Sequence, residues 1–167
     1  ARWGPSKQWP VERFGKLAER LRVSGLTPVV VVGPGEALVA REVEASAGRE
    51  LPTLGMTMDV AGLASLLAGL DVLVCNDSGP MHLAAGVGTP VVALFGPTDP
   101  CRTEPLGGSH RVLRLDLECA PCGLPRCPLH HHRCLRDLTV DRVAEEVLGS
   151  LPAMPRRVVV GSVAGSA

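Results

Sequence analysis

The sequence has no tyrosine, only two phenylalanines and two tryptophans, and no excess of either charge: 17 Lys and Arg stand against 17 Asp and Glu. Nucleic-acid binders usually carry a basic surplus, so the balanced charge argues against that class. Ala, Gly, Val and Leu dominate in place of aromatics, which favours buried strands and small-residue helices over a β-sandwich. Long apolar runs are missing too. Val29 to Val32 and Val91 to Phe95 are strand-sized, so no transmembrane segment is expected, and no signal peptide is visible. With no secretory signal, a cytoplasmic setting is expected, where the six cysteines stay unpaired. The chain opens on Ala1-Arg2-Trp3 rather than Met, which leaves upstream sequence open. Nucleophile elbow, Walker lysine and G-x-G-x-x-G fingerprint are all absent, and no residue stands out as a general base.

What is present is an alternation of strand-like and helix-like segments in 167 residues, 46% of them apolar, enough for one domain with a core. Helical patterns run from Val11 to about Gly25, Glu36 to Ala47, Val60 to Ala68, Met81 to Ala85 and Val140 to Leu151. Strands are expected at Pro28–Val32, Leu51–Leu54, Asp71–Cys75, Pro90–Phe95 and Val112–Leu115. Asp59 and Thr139 precede helical runs as N-caps. This order predicts an α/β, Rossmann-like parallel sheet with helices on both faces, spanning residues 1–151. The Gly/Ser-rich tail, residues 152–167, is expected to be flexible. Ligands of such sheets bind where the strands end at their carboxyl side. The loops Gly33 to Glu36, Asn76 to Gly79 and Gly96 to Asp99 all follow strands and are expected to share that rim.

The turn Asn76-Asp77-Ser78-Gly79, leading into Pro80-Met81-His82, is the strongest candidate site. A polar turn feeding a helix start offers backbone amides and a positive dipole end to a phosphate or pyrophosphate. Ser78 adds a hydroxyl, and His82 lies one helical turn on. Asp77 repels phosphate, so its expected task is to hold the turn by accepting backbone amides. Plain helix capping accounts for the same residues. Lys7, set between prolines and tryptophans, brings a point charge to a phosphate if its loop is preordered; a solvated surface lysine is the alternative. Trp3 and Trp9 are expected to anchor that loop. Glu36 is either a first-turn acid or an acceptor for ribose hydroxyls.

Cys119-Ala120-Pro121-Cys122, Cys127 and Cys134, with His130-His131-His132 among them, form a cysteine-rich loop, residues 119–134. C-x-x-C is a metal-ligand spacing, and the later spacings are looser than in standard zinc modules. Zinc, buried thiols and a redox-sensitive loop all remain open, and no metal ligand is assigned.

Lys7-Gln8-Trp9-Pro10, Asn76-Asp77-Ser78-Gly79 with Met81-His82, and Leu94-Phe95-Gly96-Pro97-Thr98-Asp99-Pro100 together resemble the bacterial heptosyltransferases. These are ADP-heptose:lipopolysaccharide glycosyltransferases of family nine, and the likeness, closest to the heptosyltransferase II type, covers Trp3 to about Leu151. The resemblance implies the C-terminal, donor-binding half of a two-domain GT-B enzyme. It implies that Lys7 contacts the donor pyrophosphate, that Ser78 and the Gly79 amide cradle phosphate, and that Asp77 and His82 lie close by. It also implies Met58 against adenine and Glu36 on the ribose. The implied reaction is inverting transfer of heptose from ADP-heptose to the lipopolysaccharide inner core. No cofactor is required, and a peripheral place at the inner membrane is compatible with the reading. The base, an aspartate, is implied in an N-terminal domain outside these residues; standing alone, this chain is expected to bind donor without transferring it. A non-catalytic nucleotide-binding module and a metal-stapled interaction domain are the alternatives.

Overall fold

The computed structural model describes residues 5–151 and 158–162. A 3₁₀ turn, Pro5–Lys7, leads into α1 (Val11–Val23), β1 (Pro28–Val31), α2 (Ala37–Ala47), β2 (Thr53–Leu54), α3 (Val60–Ala68) and β3 (Val72–Asn76). Then follow α4 (Gly79–Gly86), β4 (Val91–Leu94), α5 (Pro100–Thr103), β5 (Arg111–Leu113), α6 (Arg133–Arg136), α7 (Val140–Gly149) and β6 (Val158–Ser162). All pairings are parallel, in the order β2-β1-β6-β3-β4-β5.

The run of valines explains the sheet. Side chains alternate between faces along a strand, so a strand buried on both sides reads as continuously apolar. Val30, Val32, Val72, Val74, Val92 and Leu94 face one core, with Phe14, Leu17 and Leu21 of α1, Val43 of α2 and Val143 and Val147 of α7. Val29, Val31, Leu73, Cys75, Val91 and Ala93 face a second core, filled by Leu67 of α3 and Met81 and Ala84 of α4. Helices therefore cover both faces, as expected. Asp59 caps α3 by accepting from the Gly62 amide at 2.8 Å, and Thr139 caps α7 by accepting from the Arg142 amide at 3.3 Å.

One expectation fails. The tail was expected to lack structure, yet residues 158–162 form β6 in the middle of the sheet. Val158 pairs with both Pro28 and Val72, and Val159 with both Val29 and Leu73. The β-branched run Val158-Val159-Val160 suits a strand, but its Gly/Ser surroundings carry no periodic signal. Among the described residues, β6 is the strand that pairs with both β1 and β3 and so links the β2–β1 pair to the β3–β4–β5 ladder. The short helices α5 and α6 also lie in stretches that read as loop.

Candidate functional site at the strand exits

The loops leaving β1, β2, β3 and β4 emerge at the same edge because the strands are parallel. The site is built there from the amino-terminal segment inward. Trp9 is wholly buried and fixed at three points. Its amide donates to Asn76 Oδ1 at 2.9 Å, and its indole N–H donates to the Leu138 carbonyl at 2.9 Å. Its ring meets Phe14 edge-on, with centroids 4.8 Å apart. The Pro5–Lys7 turn closes through Gln8 N donating to Pro5 O at 3.1 Å. Lys7 is thus carried on a rigid loop, as expected for a preordered lysine. The anchoring role expected of Trp9 is observed, and Trp3 lies outside the described residues.

Lys7 Nζ meets Asp77 Oδ2 at 2.6 Å, with side chains only 15% and 5% exposed. Thr98 Oγ1 donates to the same oxygen at 2.7 Å, and both Asp77 and Thr98 are buried. One carboxylate therefore joins three chain segments: the amino-terminal turn, the exit of β3 and the exit of β4. This corrects the expected role of Asp77, which holds the rim by accepting from two side chains rather than from backbone amides of its own turn. The reason is placement. The loop after β4 runs alongside and presents the Thr98 hydroxyl, while the segment anchored by Trp9 presents the Lys7 ammonium. Thr98 received no role in the sequence reading. A threonine in a polar loop straight after a buried strand was the available signal.

Ser78 is the N-cap of α4, in extended conformation. Its hydroxyl donates to the Asn76 carbonyl at 3.1 Å rather than capping the helix. A Cβ placed on Gly79 would have nothing within 4 Å, so this first-turn backbone faces open space. The opening turn of α4 is thereby accessible next to the Lys7–Asp77 pair. His82, one turn along α4, is exposed.

Glu36 and Met58 belong to the neighbouring exits. Glu36 is buried, and its Oε2 accepts the Gly33 amide at 2.7 Å, closing the loop after β1. Met58 sits in the turn after β2, 39% exposed. With β6 between β1 and β3, the exit carrying Glu36 lies two strand spacings from the exit carrying Asp77, about 10 Å. Lys7, Asp77 and Thr98 are in contact, and Ser78 and Gly79 adjoin them through the chain. Glu36 and Met58 flank this group further along the rim.

The same architecture recurs in solved structures. Escherichia coli ADP-heptose lipopolysaccharide heptosyltransferase II superposes with a TM-score of 0.73 at 31% identity, over 88% of this chain and 43% of that one. A glycosyltransferase family 9 protein from Veillonella parvula gives 0.75 at 24% identity, over 87% and 42%. The class is therefore the Rossmann-like fold of the GT-B glycosyltransferases. Residues 1–132 match glycosyltransferase family 9 (heptosyltransferase), and the chain belongs to that family. Lipooligosaccharide heptosyltransferase 2 of Campylobacter jejuni is 32% identical over 152 residues, covering 87% of this chain and 47% of the relative. Lipopolysaccharide heptosyltransferase 2 of E. coli K12 is 32% identical over 151 residues, covering 88% and 43%. The chain spans less than half the length of these relatives.

Proposed function

We propose that this chain binds the nucleoside-diphosphate part of an ADP-heptose donor at the strand exits. Partnered by an N-terminal domain, it transfers heptose to the lipopolysaccharide inner core in the cytoplasm. The observation that carries the reading is the convergence of Lys7, Asp77 and Thr98 beside the open first turn of α4. The names of the relatives, heptosyltransferase 2 in C. jejuni and E. coli, supply the reaction class, and that of the 31% identical solved structure supplies ADP-heptose.

Each residue has a task in this reaction. Breaking the bond from the anomeric carbon to the diphosphate builds negative charge on the departing nucleotide. Donors already aimed at that charge lower the barrier, and losing one costs about 3–4 kcal/mol in comparable sites. Lys7 supplies a charged N–H donor whose charge it shares with Asp77, Ser78 a hydroxyl that turns from the Asn76 carbonyl to the ligand, the Gly79 amide a backbone donor with the dipole of α4 behind it, and His82 a ring N–H. Asp77 and Thr98 set the position of Lys7. The base that deprotonates the acceptor hydroxyl comes from the N-terminal domain, and direct displacement gives inversion. Glu36, one nucleoside away along the rim, takes the ribose, and Met58 takes the adenine face.

A calorimetric comparison of ADP, UDP and GDP tests the donor assignment. ADP binds tightest in this account. Equal binding of the three, or none of ADP, rejects it.

A further inference from the structure

Residues 114–132, between β5 and α6, contain no helix or strand, and none of their side chains is fully buried. Loops of that length inside compact domains are uncommon and are often functional. Leu115 near one end, and Cys134 just past the other, pack against the first core. The middle touches the rim at two successive residues. The Gly123 amide donates to the Pro97 carbonyl at 2.7 Å, and the Leu124 carbonyl accepts from Ser6 Oγ at 2.8 Å. Gly123 has φ +67°, a left-handed turn that glycine adopts without strain.

These two contacts repeat from outside the bridge that Asp77 makes from inside. Asp77 Oδ2 accepts from Lys7 Nζ at 2.6 Å and from Thr98 Oγ1 at 2.7 Å. Gly123 and Leu124 hold the residue immediately before each of those donors, Pro97 and Ser6. Ser6 is buried while the Leu124 side chain is exposed, so the segment meets the rim here through its backbone. On the β4 exit loop, α6 packs closely as well: a Cβ on Gly96 would lie 2.8 Å from Leu135 Cγ. The Lys7 turn is thereby fixed on both sides, by Trp9 in the core downstream and by Ser6 upstream. A buried hydroxyl that already donates its proton offers nothing to a ligand, so any effect of Ser6 passes through Lys7.

We propose, resting on the donor reading above, that Ser6 is a positioning residue: with Gly123 and Leu124 it holds the Lys7 turn against the Thr98 loop in the place the diphosphate requires. With this outer bridge cut, Asp77 keeps both partners, but the turn gains freedom that binding must then remove. The loss falls on the phosphates of the ligand and not on its nucleoside, because Glu36 and Met58 stand on other loops.

The test is calorimetry of ADP and of adenosine with the wild-type chain, Ser6→Ala, Lys7→Ala and the double variant. Ser6→Ala is expected to raise the Kd for ADP about fivefold, the worth of one hydrogen bond, and to leave that for adenosine unchanged. In the Lys7→Ala background the same substitution adds no further loss, since the two residues act as one unit. Gly123→Val, which strains the outer bridge from an exposed position, reproduces the selective loss and decides the matter should Ser6→Ala fail to fold. A purely structural role weakens ADP and adenosine alike, or adds fully to Lys7→Ala, and either result overturns the assignment. ADP binding that responds to Lys7→Ala but not to Ser6→Ala or Gly123→Val overturns it while the donor reading stands. A wild-type chain that binds no ADP rejects both.

Discussion

The rim around Asp77 and the cysteine segment pressed against it are ordered by different means. The rim borrows its rigidity from the core: Trp9 is buried, Asn76 ends a fully buried strand, and the Lys7–Asp77–Thr98 contacts are withdrawn from water. The cysteine segment lies over the same loops but has no fully buried side chain, and its ion pair, Arg114 with Asp116 at 3.6 Å, is on the surface. A polar contact inside the fold is strengthened by low dielectric and is costly to leave half-made, whereas a surface pair contributes little. The contrast separates a region braced by the core from one held to it mainly by backbone and surface contacts.

Substitutions break the comparison in order of size. Trp9→Ala removes a buried aromatic and the indole hydrogen bond to the Leu138 carbonyl, and is expected to cost about 3–5 kcal/mol in denaturant unfolding. Asp77→Ala leaves Lys7 without its carboxylate in a largely enclosed place. A loss of about 3 kcal/mol is expected, the low end for breaking a buried pair, because Lys7 keeps some contact with water. Thr98→Val deletes a single hydrogen bond to the same oxygen and is expected to cost about 1 kcal/mol. Asp116→Ala, in the other region, is expected to change stability by less than about 0.5 kcal/mol. A loss there equal to that of Asp77→Ala would erase the distinction between the two regions.

Thiol chemistry sharpens it further. Cys75 lies wholly inside the second core, and burial, with the Asp77 charge nearby, pushes its thiol far above the ordinary range. A raised pKa means the neutral form is held in the folded state. Stability from this source is present below the ordinary thiol pKa and declines as pH rises above it. In native alkylation followed by mass spectrometry, Cys101, which is exposed, is expected to react first and Cys75 only after unfolding. Rapid labelling of Cys75 in the folded chain would contradict the placement of β3 between two cores.

Much of this was legible in the sequence. The valine runs of β1, β3 and β4 and the caps at Asp59 and Thr139 follow directly from local pattern. The turn 76–79 followed from a polar, glycine-containing stretch between a strand and a helix. What was not legible depended on contacts far apart in the chain. The Lys7–Asp77 pair links residues 70 apart, and nothing local announces that Asp77 serves a lysine and a threonine rather than its own turn. β6 was missed because a five-residue strand in a Gly/Ser context has too little periodicity to show, and its place between β1 and β3 is set wholly by partners elsewhere. Glu36 was legible as a loop acid, but not as the group that closes its own loop on Gly33.

The central claim is that Lys7, fixed by Asp77, grips the donor diphosphate. Titration calorimetry of ADP into the wild-type chain and into Lys7→Ala, with folding of both verified by circular dichroism, addresses it directly. Loss of a charge-assisted hydrogen bond is expected to weaken binding by about 1.5–3 kcal/mol, at least a tenfold rise in Kd. An unchanged Kd in a folded Lys7→Ala chain would contradict the account.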